Sequence, residues 1–427
     1  MNKMLLTQTT NKSKLIELFS QYSTIGVELE GMYVDKDGYV VNIAQIISKD
    51  PRLKDADWLD PEGLQCQWEV KTNPSHNIRG MDLDLRLKLT YLAHVAQDYG
   101  VYIVPMGEVG AGQGKVNLTT PKAKERILIY NQLFGEERVR ALLSNSGTHI
   151  HLSQTPGKEV MQYVFGESLE SLIIGLTSTS PINHKGVNKL RNHRTRVQGQ
   201  TFDPLSIFYE PHKTPQSLDD IKNIQEETLA QTRALAIQLG ISPEIFDSFF
   251  HLDDISYHGV RNRKKNGLTG TNEFRRPGAC SPHIISPTAA FIKGTWDYID
   301  NRNLKLKIGD KNEYRISATE IIIPSPEYIR TNRELAIERG LDPNSTITKL
   351  QYLLPYAEKG LPQIDKPFLQ PFKQVLKTGR TPDKDMMDYM TKLNYSGLHY
   401  EPDQTAKLVQ HQVNLNQKDL NLLPIPR

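Results

Sequence analysis

The chain has 427 residues, of which 38% are hydrophobic and 24% charged, so it can bury a core and is not of the disordered type. Its length suits a large sheet-based domain with appended helices, and its formal charge of +3 is too near balance to argue for nucleic acid. Two cysteines, Cys66 and Cys280, are too few for a disulfide framework or a cysteine-based zinc site, and they fit a reducing compartment.

The N-terminal stretch MNKMLLTQTTNKSK lacks the apolar centre of a signal peptide. No run reaches the roughly 18 apolar residues of a membrane span. A soluble, cytoplasmic protein without a membrane partner is therefore expected. SKLIELFSQ (13–21) has the spacing of a short amphipathic helix. TIGVELEGMYVD (24–35) reads as a strand stopped by the turn DKDG, and YVVNIAQII continues in a β-like composition. QCQWEVKT (65–72) is a further strand, ended by Asn73 and Pro74. DLDLRLKLTYLAHVAQDYG carries helical spacing up to Gly100, and VYIVPMG reads as a buried strand. The Gly-rich loop GEVGAGQGK lacks the spacing of a phosphate-binding P-loop and reads as a connection or lid.

ERILIYNQLFGEERVRALL is helix-like, THIHLS (148–153) alternates as a strand, and EVMQYVFGESLESLIIGLTSTSP reads as a buried helix. SLDDIKNIQEETLAQTRALAIQLG is amphipathic with Ser217 as its N-cap. GTNEFRRPG is a strand broken by Pro277, and SPTAAFIKGTWDYIDNR a helix opening on Ser286–Pro287. Beyond about residue 300 the composition predicts two or three helices and an irregular end, NLNQKDLNLLPIPR. Strands and helices mix without a βαβ rhythm, which favours α+β with a mainly antiparallel sheet.

Residues two apart in a strand share a face. Glu28 and Glu30 therefore stand side by side, and two such carboxylates repel unless a cation lies between them or one takes a proton. His149 and His151 repeat that spacing. Glu69 lies in QWEV, and Glu273 shares a face with Arg275. Each signal alone has a plain structural reading, such as a solvated edge, polar strand residues or a cross-strand ion pair. Together, if the strands are neighbours, they converge on one face. Carboxylates with an imidazole suit Mg²⁺ or Mn²⁺, and such a cluster matches a nucleotide site for in-line phosphoryl transfer. Arg191, Arg194 and Arg196 in LRNHRTRVQ, and Arg261, Arg263, Lys264 and Lys265 in VRNRKKNG, read by default as solvated loop charges. The acidic cluster gives a reason for them to grip phosphate or carboxylate instead.

In chain order these segments resemble the glutamine synthetases and their ligase relatives. GVELEGMYVD resembles their first acidic strand, LQCQWEVKTNP the second, SNSGTHIHLS the histidine segment, and TNEFRRPGACSPHIISPTAAFIKG the Glu-Phe-Arg stretch with its following helix. The first acidic strand begins near residue 25, without the small domain that precedes it in glutamine synthetases. The arrangement is thus more similar to the glutamate–cysteine ligase group.

The resemblance implies an α+β fold with a glutamine synthetase/guanidino kinase-like antiparallel sheet forming a cupped active site, packed helices and a helical C-terminal extension. It implies a catalytic core over 21–301, preceded by an N-terminal helix and followed by a C-terminal region over 302–427. It implies ATP as co-substrate, Mg²⁺ or Mn²⁺, and amide formation through an acyl phosphate, with glutamate as donor and small-molecule carboxylate and amine substrates. Glu28, Glu30, Glu69, His149 and Glu273 become metal ligands, with Glu62 as a further one. Arg275 becomes a catalytic cation, and Arg194, which rests on no motif of the family, is read as a second. His151, Arg191, Arg196, Arg261 and Arg263 fall to ATP or substrate. The rival readings are a guanidino kinase-type phosphotransferase and an inactive binding or modifier protein on the same scaffold. A nucleic-acid binder lacks an aromatic stacking platform. The oligomeric state stays open.

Overall fold

In the computed structural model of the protein, the expected first strand is β1 (Ile25–Val34). The structure describes residues 23–108, 117–118, 121–183, 185–187, 189–210, 213–252, 256–263, 270–342, 346–395, 397 and 399–422. The expected helix over 13–21, most of the Gly-rich loop, Lys264, Lys265 and the last five residues lie outside them.

The further strands are β2 (Leu59–Pro61), β3 (Gln67–Lys71), β4 (Tyr102–Val104), β5 (Thr148–Ser153), β6 (Val260–Arg263) and β7 (Thr271–Phe274). They form one sheet in the order β2-β3-β1-β5-β7-β6, with β4 beside the far end of β1 and every pairing antiparallel. A mixed helix and antiparallel-sheet fold is what the sequence predicts.

The helices of the first two thirds are α1 (Ala44–Ile47), α2 (Ile78–Asp98), α3 (Pro121–Phe134), α4 (Glu136–Leu143), α5 (Glu159–Ser168), α6 (Glu170–Thr177), α7 (His193–Thr201), α8 (Leu218–Gln238), α9 (Pro243–Phe249) and α10 (Pro282–Asn301). One face of the sheet is apolar. Val27 and Leu29 of β1, Trp68 and Val70 of β3, Ile150 and Leu152 of β5 and Phe274 of β7 are all buried there. They share a core with Met81, Leu85, Leu89 and Leu92 of α2 and with Ile285, Ala289, Ile292 and Trp296 of α10. Each large side chain so buried contributes about 1.5–3 kcal/mol. Gly31 lies opposite Trp68, and a Cβ at 31 would stand 2.2 Å from the indole ring, so only glycine lets the ring lie flat there. On the other side of the sheet, Tyr130, Phe134, Val139, Phe202, Ala236 and Phe246 of α3, α4, α8, α9 and the α7 end form a second core.

Several local expectations change. AQII is one helical turn, not strand, and buries Ala44 and Ile47, three residues apart. The helix expected to open at Ser286–Pro287 opens at Ser281–Pro282 instead, because Pro at N1 has no amide bond to lose there, and Pro287 falls inside it. Gly135 and Leu169 split two of the expected long helices. Beyond 302 lie five α-helices among the described residues, α11 (Pro326–Arg339), α12 (Thr348–Gly360), α13 (Gln370–Thr378), α14 (Pro382–Lys392) and α15 (Pro402–Asp419). A small sheet joins them, with β10 (Glu320–Ile323) between β8 (Lys305–Ile308) and β9 (Arg315–Ile316). The end expected to be irregular is helical through Asp419. There Leu408, Val409 and Val413 pack with Met32 and Val34 from the end of β1. Ser217 caps α8 as predicted, within a capping box with Asp220.

Candidate active site

The apolar residues of β1, β3, β5 and β7 alternate with polar ones, so the polar set emerges together on the opposite face. The register lines them up. Glu28 pairs with Lys71 on one side and His149 on the other, Glu30 pairs with Glu69, and His151 pairs with Glu273, which pairs with Arg261.

His149 is the centre. Its Nδ1 lies 3.4 Å from Glu28 Oε2 and 3.5 Å from Glu273 Oε1, and its Nε2 lies 3.8 Å from Glu30 Oε1. His151 Nδ1 is 3.2 Å from Thr271 Oγ1. Its buried Nε2, 3.4 Å from Glu28 Oε2, has no hydrogen-bond partner among the described residues. Two groups of potential ligand atoms result, Glu28–His149–Glu273 and Glu30–Glu69–His149, each with its atoms within 4.8 Å of one another.

The electrostatics divide the carboxylates. Burial would raise Glu28, but His149 and His151 beside it outweigh it and hold the carboxyl far below its usual range. Burial likewise opposes ionisation of Glu273, and Arg275, Arg261 and the two histidines override it. Glu273 is fully buried. Arg261 grips it through two hydrogen bonds of 2.8 and 3.0 Å, and Arg275 adds one of 3.0 Å. Glu30, Glu62 and Glu69 are pushed the other way, first by burial and then by their acidic neighbours. These carboxyls crowd together with too little positive charge. A hard divalent cation among them would supply it, so the oxygen-rich donor set with one imidazole fits Mg²⁺ or Mn²⁺.

A cavity of about 650 Å³ opens over this face. Its lining is graded across the sheet. Glu62, Glu69, Glu30 and Glu28 lie toward β2, β3 and β1, while Arg275, Arg261 and Arg263 lie toward β7 and β6, with His149 between. Arg194 reaches in from α7, and Ile127, Tyr130, Val139 and Leu142 give an apolar wall from α3 and α4. Arg275 is held over the Tyr257 ring at 5.1 Å. Arg194 donates from Nη1 and Nη2 to the Arg275 carbonyl, 3.2 Å each, and burial pushes its guanidinium down to about 10 against the pull of Glu30. Burial and Arg275 also bring Arg261 down to about 10.

Ten of the residues singled out in the sequence therefore gather in one place: Glu28, Glu30, Glu69, His149, His151, Glu273, Arg275, Arg194, Arg261 and Arg263. Eight of them line the cavity, His151 and Glu273 standing behind its wall, and Glu62 lines it too. Arg191 and Arg196 do not line the cavity. Arg191 binds the Ile337 carbonyl through its backbone N–H, with its side chain 3.9 Å from Asp383. Arg196 pairs with Glu334 at 2.8 Å and Glu338 at 3.6 Å on α11. On a helix, residues 194 and 196 point to opposite sides, so both cannot enter one site. The sequence reading missed Lys71, 2.9 Å from Glu69, together with Arg126 and Tyr257. Lys71 was within reach, since it follows Glu69 by two positions in the same strand. Arg126 and Tyr257 arrive from a distant helix and loop and carry no such signal.

No family model and no curated protein matches the chain. Solved structures do. Glutamate–cysteine ligase from Francisella tularensis, solved in complex with AMP, matches with a TM-score of 0.60 at 11% identity, over 95% of this chain and 90% of that one. The chain has the fold of glutamate–cysteine ligase. A bifunctional glutathione synthetase from Pasteurella multocida shares that ligase fold, with a TM-score of 0.57 at 14% identity, over 96% of this chain. The chain spans 54% of that larger protein. The ordered motifs of the sequence point to this same fold. Among the described residues, no helix is long and apolar enough to cross a membrane.

Proposed function

We propose that the protein is an ATP-dependent carboxylate–amine ligase that forms an amide through an acyl phosphate, with the γ-carboxylate of glutamate as donor. The observation that carries this reading is the graded cavity, acidic on β1 and β3, basic on β6 and β7, and joined at His149. A bare acidic cluster would repel ATP, and a bare basic one would bind phosphate without metal. The two together suit a metal-bound polyphosphate. The ligase fold supports the same conclusion.

Glu28, Glu30, Glu69, His149 and Glu273 would hold Mg²⁺ or Mn²⁺, with Glu62 at the edge. The ions would neutralise phosphate charge and align the reacting groups. Arg275, braced by Glu273 and Tyr257, meets charge on the transferred phosphoryl, and Arg194 supports it through the Arg275 carbonyl. Arg261 and Arg263 extend the basic side toward phosphate or the substrate carboxylate, and His151, beside Glu28, faces the nucleotide. Catalysis is then positioning and electrostatics. No protein nucleophile is needed. Both cysteines are buried, with thiols pushed up to about 12 by burial. Residues 21–301 form the catalytic core in this reading, and 302–427 form a mostly helical region packed on it. The substrates are small molecules and the setting is cytoplasmic.

Purified protein with Mg²⁺, ATP, L-glutamate and a panel of amines tests the proposal. ADP, phosphate and a new amide by mass spectrometry are expected. ADP with a phosphorylated product and no amide would assign a phosphotransferase instead. Absence of ATP turnover and of ATP binding would overturn the reading.

A further inference from the structure

A second cavity, of about 270 Å³, lies behind the sheet between α5, the start of α6, Glu210, residues 213–215, β8, β10 and α11. Val164, Ile323 and Ile329 supply an apolar wall. Its charged groups mostly satisfy one another. Glu170 pairs with Arg276 and lies 3.4 Å from Arg333, and Arg333 pairs with Glu210 at 2.6 Å. Glu167 is the exception. Among the described residues its carboxylate forms no ion pair and accepts one hydrogen bond, from the Val260 N–H. Burial, with Glu170 beside it, pushes its carboxyl up to about 8 against the pull of Arg276 and Arg333. A partly buried carboxyl that keeps its proton beside an apolar wall can exchange that proton for an ammonium that brings its own apolar body.

We propose that this cavity binds a small primary amine with a branched apolar body, its ammonium on Glu167 and its alkyl group against Val164, Ile323 and Ile329. A bare metal ion would leave the apolar wall unused, and a long polyamine would exceed the space. An α-carboxylate would meet Arg330 and Lys213 at the rim, so branched-chain amino acids belong to the class. The site is separate from the ligase cavity and independent of that assignment. It is still coupled to it, because Val260, held by Glu167, precedes Arg261, whose guanidinium clamps Glu273.

Calorimetric titration of the full chain with L-leucine, isoamylamine and 4-methylpentanoate tests the proposal, with saturating Mg²⁺ and ATP throughout. Leucine and isoamylamine are expected to bind one to one, and 4-methylpentanoate, which lacks the ammonium, at least about tenfold more weakly. Glu167→Gln keeps an acceptor for the Val260 N–H and removes the charge, so it should weaken both amines about tenfold or more. Ile329→Trp should fill the cavity and abolish binding. Three results would overturn the proposal: no amine binding, equal binding of 4-methylpentanoate, or amine binding unchanged in both variants. The last would place the amine in the ligase cavity.

Discussion

Glu28 and His149 stand directly opposite each other on β1 and β5, and Glu28 Oε2 lies 3.4 Å from His149 Nδ1 and 3.4 Å from His151 Nε2. One carboxylate thus stands beside two imidazoles. Glu28→Gln keeps its shape and removes its charge. Turnover should fall by about 100-fold or more while the fold persists. ADP release, with far-UV circular dichroism as the folding control, checks this. Full activity in the variant would remove Glu28 from the site.

Glu30, Glu62 and Glu69 hold their protons above the ordinary carboxyl value of 4.5. Between that value and their folded values the native state binds more protons than the unfolded chain, so their contribution to stability falls as pH rises. A divalent cation takes the place of those protons and gains most where they have left. Mg²⁺ should therefore raise Tm more at pH 8 than at pH 5. Thermal melts with Mg²⁺ and with EDTA at the two pH values measure it, and an equal shift at both would contradict the charge assignment.

Gly147 lies under the Arg194 guanidinium, and a Cβ there would come within 2.0 Å of Nη2 and 2.6 Å of Cζ. Arg194 is buried and cannot swing freely away. Gly147→Ala should displace it from the Arg275 carbonyl and lower turnover by about tenfold or more, as misplaced catalytic groups do. Arg194→Ala should match that loss, and the double variant should add little to either.

Arg196 offers the contrast. Its two ion pairs with α11 are partly exposed, a class worth about 0–1 kcal/mol. Arg196→Ala should leave turnover within about twofold and shift urea unfolding only slightly. A large loss of activity would return Arg196 to the site.

Period-two alternation made most of the site readable. Glu28, Glu30, Glu69, His149 and Glu273 each interrupt an apolar strand at the same phase, and burial of one face forces the other five side chains together. The basic residues were harder. Arg261 and Arg263 are two apart and sit in a strand, but the charge run resembles a loop, and only pairing with β7 brings Arg261 onto Glu273. Arg191, Arg194 and Arg196 share a short segment whose helix begins at His193, and helical phase then separates them. The small sheet beyond residue 302 left no trace in the sequence. Its strands are two to four residues long, and Lys305, Lys307 and Ile308 of β8 face solvent.

His149 belongs to both ligand groups, with Nδ1 toward Glu28 and Glu273 and Nε2 toward Glu30. A neutral imidazole has one lone pair to give, and its other nitrogen carries the proton. Whichever ion claimed it first would fix the tautomer and leave the second ion to oxygen ligands alone. The two positions would then load unequally, one tight and one labile, and the labile one would be free to travel in and out with the nucleotide.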